Sequence, residues 1–177
     1  MKIKSERKRE YREFMPDSIN TIPVESLDDL GFFTAPASTK YHGAFEGGLF
    51  DHSLEVTKSL VELTEKLGLT WQRPESPYIV GMYHDLCKCD AYRYDIETDR
   101  FVWNNDQILD GHGSKSVIVT QQFIDLTDEE IACIRWHMGP YETNTELWNY
   151  YGRAIEAFPN VLYTHMADMI ASKIRGV

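Results

Sequence analysis

Histidine and aspartate recur in this chain in a fixed order. The series is His52, His84-Asp85, His112, His137 and Asp168. Taken singly, each of these residues would more often be a surface group or a helix-end group than a ligand. Taken together, five of the six histidines fall in the series or one turn from it (His165), and His42 is the exception. The sequence therefore predicts a fold in which several separate segments converge on one metal-binding cleft.

The first histidine of the series belongs to a helical pattern. Over residues 51–67 the apolar residues recur at helical spacing, at Val56, Leu60, Leu63 and Leu67. Extending this stripe back by one turn leads to His52. Because the stripe faces the core, His52 is predicted to face the interior rather than solvent.

The His84-Asp85 doublet lies near the end of a second predicted helix, over residues 76–87. Pro77 stands in its first turn, and the helix is apolar nearly all round, which is typical of a central, buried helix. Adjacent residues on a helix point roughly 100° apart. Both side chains can therefore reach one ion only if that ion lies off the helix, between them.

The rest of the pattern is also mainly helical. Residues 1–15 read as a charged helix or a frayed arm, and residues 16–48 as irregular with one short helix near 26–30. Alternating residues predict a β-hairpin near 91–103. Further helices are predicted over 114–124, from a capping box at Thr127 and Glu130, over 145–158 and over 160–174. The fold class predicted is all-α with one small hairpin.

Composition narrows the class of protein. A chain of 177 residues with 42% hydrophobic and 26% charged residues fits one globular domain. Without an apolar run of ~20 residues, a secretory signal or a cysteine framework, we expect a cytoplasmic protein with reduced thiols and no membrane partner. A net charge of −10 argues against bulk nucleic-acid binding. A small phosphorylated substrate remains compatible, because divalent ions can reverse the local field.

The ligand types favour catalysis over a structural role. Imidazole and carboxylate groups suit Mn, Fe, Ni, Co or Zn, whereas structural zinc sites usually contain thiolates. Asp85 has two oxygens and could bridge two ions, with His52, His84 and Asp168 on one side and His112 and His137 on the other. Two ions about 3.5–4 Å apart can clamp a phosphoryl group. We therefore expect one or two divalent transition-metal ions, whose identity the sequence does not fix.

Two motifs resemble a known family. The stretch His84-Asp85-Leu86-Cys87-Lys88 is similar to the H-D-x-x-K signature of the HD-domain superfamily of metal-dependent phosphohydrolases. The stretch Gly47-Gly48-Leu49-Phe50-Asp51-His52-Ser53-Leu54 resembles the opening motif of one branch, which includes the HD domains of bacterial 3′–5′ exoribonucleases that carry an OB-fold. The resemblance implies a single domain over 1–177, with an HD helical bundle over 40–174 preceded by an N-terminal extension, 1–39.

The resemblance also implies roles for individual residues. The ligands of a first metal would be His52, His84, Asp85 and Asp168. The ligands of a second would be Asp85, His112 and His137. Asp85 and Lys88 would be the catalytic residues, although Lys88 could instead be a snorkelling surface lysine. Substrate contacts would come from His42, Lys88 and His165; a plain loop position for His42 and an orienting role for His165 are the alternatives.

Two departures from the family pattern bear on the substrate. Cys87 stands where the signature often has glycine, which is a mild change. About 40 residues precede the domain, too few for an OB-fold. This favours a short or mononucleotide-like substrate over processive RNA degradation.

The leading hypothesis is a phosphohydrolase that cleaves a phosphate mono- or diester of a nucleotide or short oligonucleotide through a metal-activated hydroxide. The alternatives are an exoribonuclease-like nuclease, a catalytically silent nucleotide-binding module and, more remotely, a di-iron oxygenase. Arg93 and Arg135 are weak candidates for phosphate contacts. Aromatic residues of the predicted hairpin either stack on a base or form a packed cover: Tyr92, Tyr94, Phe101 and Trp103.

Overall fold

Helices make up most of the computed structural model, which describes residues 2–17, 19–142 and 144–177. Its α-helices are α1 (Lys4–Phe14), α2 (Val24–Asp29), α3 (Gly48–Leu67), α4 (Ser76–Tyr83), α5 (His112–Thr120), α6 (Asp128–Trp136), α7 (Trp148–Ala157) and α8 (Asn160–Met169). Strands β1 (Tyr92–Asp95) and β2 (Arg100–Trp103) pair antiparallel, with Tyr92 opposite Trp103. The predicted all-α architecture with one small hairpin is confirmed. No helix in these described ranges combines the length and apolar character needed to cross a membrane.

Helices α3 and α4 pack side by side in the middle of the molecule. The first half of the stripe predicted on α3 is buried, with Val56 and Leu60 fully enclosed, whereas Leu67 at the end of the helix is exposed. Gly81 lets α4 approach closely, because a Cβ atom there would lie 2.5 Å from the Cα atom of Thr57. Full burial of one large apolar side chain contributes roughly 1.5–3 kcal/mol to folding. These contacts fix the two helices that carry His52 and His84.

Two clusters of buried apolar residues include residues of α3 and α4. The first joins α3 and α4 to the N-terminal residues, and its members include Tyr11, Phe32, Phe33, Phe50 and Tyr83. The second joins them to α6 and α8, and its members include Val56, Val80, Ile134, Val161 and Ala167. The hydroxyl groups of Tyr11 and Tyr83 lie 2.5 Å apart in the first cluster. The N-terminal residues therefore pack into the core.

Helix α3 begins at Gly48, three residues before the predicted start. Gly47 precedes it with φ of +77°, and a Cβ atom there would lie 2.3 Å from Cζ of Arg7. Arg7 is fully buried and forms an ion pair with Asp51, Nη2 to Oδ2, at 3.1 Å. Glycine at position 47 therefore lets α1 anchor the turn of α3 that carries His52.

Several helix ends differ from the sequence pattern. Helix α4 stops at Tyr83, and Asp85 leaves the helical conformation, with φ of −114° and ψ of 18°, before a 3₁₀ turn over Leu86–Cys89. Helix α5 begins at His112 rather than at residue 114. The predicted helix over 145–158 divides into a 3₁₀ turn and α7, and the one over 160–174 ends in a π-helical turn, Ile170–Arg175. Tertiary packing decides these ends, which apolar periodicity does not mark.

Candidate metal centre

Six side chains from five helices meet at one place between the core helices. The backbone positions are His52 on α3, His84 at the end of α4, Asp85 one residue later, His112 at the start of α5, His137 at the end of α6 and Asp168 on α8. Gly113 allows the approach of α5 to α6, because a Cβ atom there would lie 2.1 Å from the Arg135 carbonyl oxygen. The structure therefore brings together every residue that the sequence series singled out as a ligand.

The side chains form two groups with a shared member. One group is His52, His84 and Asp85; the other is Asp85, His112 and His137. Within each group the potential ligand atoms lie within 4.8 Å of one another. Asp168 lies next to the first group, with Oδ1 3.2 Å from Nε2 of His52. The arrangement has the composition of two adjacent metal sites joined by one carboxylate.

Asp85 offers a different oxygen to each group. Oδ2 lies 3.7 Å from Nε2 of His52 and 3.4 Å from Nε2 of His84. Oδ1 lies 2.8 Å from Nε2 of His112 and 3.4 Å from Nε2 of His137. A carboxylate placed in this way can bridge two ions, which is the role that the sequence predicted for Asp85.

Contacts on the other side of each imidazole ring fix its orientation. Nδ1 of His52 lies 2.9 Å from the backbone oxygen of Val177. The corresponding atoms of His84 and His137 each lie 2.8 Å from a carbonyl oxygen one turn back in their own helices. Because a backbone oxygen only accepts, each Nδ1 must carry the proton and donate it. The Nε2 atoms that face the centre then hold free lone pairs, the form that binds metal.

With the imidazole protons on Nδ1, the nitrogen and oxygen atoms that face the centre are acceptors without a donor. Buried atoms without a partner include Oδ1 of Asp85 and the Nε2 atoms of His52, His84, His112 and His137. An unsatisfied buried polar atom costs about 1–3 kcal/mol, so a cluster of five requires a physical reason. A divalent ion in each group would satisfy all five atoms. The residues present therefore fit a metal pair.

The surroundings of the centre keep its carboxylates and His112 in the protonation states that bind metal. Burial alone would raise the pKa of Asp85, but its partners, with the Lys88 charge as the largest lowering cause, hold that pKa well below its usual range. The pKa of Asp168 is also lowered, because His52 outweighs the effect of burial. Burial lowers the pKa of His112, although Asp85 opposes the shift. The carboxylates are therefore ionised and His112 is neutral at neutral pH.

Lys88 belongs to the centre and does not lie on the surface. Its residue is 9% exposed, and Nζ lies 2.6 Å from Oδ2 of Asp85. Asp85 raises the pKa of Lys88 despite its burial, so the ammonium group stays charged. The snorkelling alternative does not fit this position. A fixed positive charge beside the two groups is suited to a phosphate oxygen.

The two remaining histidines lie on different sides of the ligands. The His42 ring packs against that of His52, with centroids 4.8 Å apart, and its buried Nε2 has no hydrogen-bond partner. Burial is the largest cause that lowers the pKa of His42, to about 4. His165 instead places Nδ1 2.8 Å from the His137 carbonyl oxygen. Thus His42 faces the centre as a neutral ring, whereas His165 holds the segment that carries His137.

Sequence reasoning missed one contact and overvalued another residue. The sequence indicated only a mild departure from the family signature at Cys87, yet Cys87 Sγ lies 3.3 Å from Nδ1 of His112. The position of Cys87 inside the H-D-x-x-K stretch was the available signal. Arg135, a candidate phosphate partner, is instead paired with Glu142 at 3.1 Å and stacked over Trp136. All three cysteines are free thiols, as predicted.

Comparison with known proteins identifies the family of this arrangement. The family model described as HD domain matches residues 49–170. The matched range contains His52, the His84-Asp85 doublet and the other three ligand positions of the centre, His112, His137 and Asp168. No curated protein and no solved structure matches the chain.

Proposed function

Because this chain belongs to the HD-domain family, whose members are typically metal-dependent phosphohydrolases, we propose that it hydrolyses a phosphate mono- or diester of a nucleotide or a short oligonucleotide. The observation that carries this proposal is the position of Asp85 between two sets of unpaired imidazole nitrogens. A decayed site would be expected to lack at least one of these ligands. All six are present.

The metal pair would supply Lewis acidity and lower the pKa of water at the site. The residues around it would orient the substrate. Lys88 Nζ, 2.6 Å from Asp85 Oδ2, is placed to hold a phosphate oxygen and to neutralise charge that develops on it. The His42 ring packs beside His52, and its unpaired Nε2 atom can form a hydrogen bond with the substrate. The carboxylate of Asp85 would hold the two ligand groups in fixed positions relative to each other.

The opening of the centre supports substrates with an organic group on either side of the phosphate. His112 is the ligand whose side chain is most exposed, at 34%. A cleft of about 420 Å³ and another of about 320 Å³ share Asp110, Gly111 and His112 as a common wall. A monoester would need one cleft, whereas a diester could use both. Both ester classes therefore belong in the proposal.

The shared clefts also favour a second candidate function, a nuclease that acts on short single strands. The Gly47–Leu54 stretch, which is similar to the opening motif of HD domains in exoribonucleases, is a further argument for it. Digestion of a labelled oligonucleotide separates the two candidates. A nuclease would produce a ladder of shorter products, whereas a nucleotidase would act on mononucleotides alone.

The proposal is tested by loading the metal-stripped protein with Mn²⁺, Co²⁺ or Ni²⁺ and counting bound ions. Hydrolysis of p-nitrophenyl phosphate and of its bis-ester is then measured. Asp85→Asn should lose both metal and activity, because it removes the bridging charge. Asp29→Asn, at an exposed carboxylate on α2, is the matched control and should retain both. Full activity in Asp85→Asn, or no hydrolysis by the wild type with any metal, would contradict the proposal.

A further inference from the structure

The larger of the two clefts lies between the β1–β2 hairpin and the loop that leads to α5. Its volume of about 420 Å³ falls within the range of small-molecule binding sites. Lys88 and His112 line its inner end, and Tyr92 and Trp103 line the hairpin side. The cleft therefore begins at the metal centre and runs outward along aromatic side chains.

The second ligand group opens to solvent at His112, which lines this cleft and the smaller one. His52, His84, Asp85 and His137 are at most 2% exposed, whereas the His112 side chain is 34% exposed. A substrate whose phosphate reaches the centre past His112 must leave its remaining atoms outside. The walls of the cleft therefore contact the non-phosphate part of such a substrate.

The hairpin presents an aromatic surface rather than a sealed cover. Tyr92 and Trp103 face each other across the strands, with ring centroids 5.7 Å apart and planes at 76°. Trp103 nevertheless remains 56% exposed. A large aromatic ring held by its neighbour and left open beside a cleft is suited to stacking against another flat ring.

Lys115 and Gln107, which line the cleft beyond Lys88, are already bonded to residues of the loop. Lys115 is buried, with Nζ bonded to Asp90 and 2.8 Å from Oε1 of Gln107. Gln107 in turn donates to the Asn104 carbonyl oxygen at 2.9 Å. The acidic Asp110 also lines the cleft. The outer cleft therefore suits an uncharged flat group better than additional phosphates.

We propose that this cleft binds the nucleobase of the substrate, stacked on Trp103, while the phosphate lies at Lys88 and the metal centre. The inference rests on the proposed function and narrows its substrate to nucleotides that carry a single phosphate or a diester at the scissile position. Base stacking on aromatic side chains in proteins corresponds to about a 5- to 150-fold contribution to affinity.

The first test measures binding without turnover. The metal-loaded full chain is titrated calorimetrically with adenosine, guanosine, cytidine and uridine, which have no phosphate to cleave. At least one nucleoside should bind, and Trp103→Ala should weaken it about 5- to 150-fold, with partial recovery in Trp103→Phe. Tyr150→Ala, an exposed aromatic residue on α7 outside the cleft, should bind as the wild type does. Absence of binding by all four nucleosides would overturn the proposal, as would equal affinity in Trp103→Ala.

The second test compares nucleoside 5′-monophosphates with ribose 5-phosphate, which has the same sugar and phosphate but no base. Trp103→Ala should lower kcat/KM for the nucleotides and leave that for ribose 5-phosphate within about two-fold. Equal losses on both substrates would contradict base stacking. If the wild type hydrolyses nothing, the proposed function fails, and the nucleoside titration still decides the role of the cleft.

Discussion

Cys87 Sγ lies 3.3 Å from Nδ1 of His112, on the side of the imidazole ring that faces away from the metal centre. The rings of His52, His84 and His137 are each oriented by a backbone oxygen, whereas His112 depends on this side chain. A backbone partner survives any substitution of its own side chain, but the thiol does not. The second metal group is therefore open to adjustment through one residue of the H-D-x-x-K stretch.

We expect Cys87→Ala to weaken binding of one of the two ions by about 10- to 100-fold, because a partner that orients a ligating histidine is lost. Cys87→Ser should retain most of the affinity, since its hydroxyl group can still accept from Nδ1. Calorimetric titration with Mn²⁺ resolves the two binding steps. Cys89→Ala is the control, and an equal loss there would show that Cys87 has no specific role.

Substitutions of single ligands should change the number of bound ions by different amounts. His112→Ala removes a member of the second group alone, so bound metal should fall from two equivalents to one. Asp85→Asn weakens both groups and should leave less than one equivalent. Elemental analysis of the purified variants measures this directly. Retention of two ions in Asp85→Asn would exclude a bridging carboxylate.

Substituting Lys88 should impair catalysis without loss of metal. In Lys88→Met we expect kcat/KM for phosphate esters to fall about 10²-fold, because a charge that stabilises the transition state is removed. Metal affinity should stay equal or rise, since Nζ no longer competes for Oδ2 of Asp85. Lys88→Arg keeps the charge and should recover part of the activity. Loss of metal in Lys88→Met would instead indicate a structural role.

Gly113→Ala should disturb the second group through the backbone. The added Cβ atom would meet the Arg135 carbonyl oxygen at 2.1 Å, so α5 must move away from α6 and carry His112 with it. We expect a loss of about 1–3 kcal/mol in the free energy of unfolding and weaker binding of one ion. Gly152→Ala on α7 has open space around it and should stabilise the protein by about 0.5–1 kcal/mol. Chemical denaturation and metal titration measure both variants.

Metal should stabilise the folded chain, because the unpaired ligand atoms of the centre are satisfied only when ions are bound. At a free concentration of one hundred times Kd, one ion adds about 2.7 kcal/mol, which corresponds to a rise in Tm of about 5–11 °C. Differential scanning calorimetry with and without a chelator detects this shift. Asp85→Asn should show a much smaller response. An unchanged Tm in the wild type would argue against metal at this centre.

The sequence predicted the burial of His52 because this residue stands on a strongly periodic helix. His52 continues the apolar stripe of α3, and burial then follows from the helical repeat. The conformation of Asp85 was not predictable in this way. A continuous helix to residue 87 would have pointed it about 100° from His84, whereas the helix ends at Tyr83 and Asp85 turns out of it. No periodic signal marks that break.

The N-terminal residues were the least predictable part of the core. Residues 16–48 lack a long helical or alternating apolar repeat, so the sequence indicates an irregular segment with one short helix. In the fold, Phe32 and Phe33 from that segment are fully buried against Phe50 of α3. The apolar partners are distant in sequence, and only the packed structure shows which of them meet. The contact between Cys87 and His112 was hidden for the same reason.

If Asp85 bridges the proposed metal pair, the two ions would not bind independently of each other. The first ion would fix the carboxylate in place for the second ion, but it would also repel the second ion by its charge. Whichever effect is larger, each ion changes the affinity of the other by the same factor. The active fraction of the protein would then depend on the supply of metal more steeply, or more gradually, than a single site allows. One side chain would thereby make the proposed activity responsive to the metal content of its surroundings.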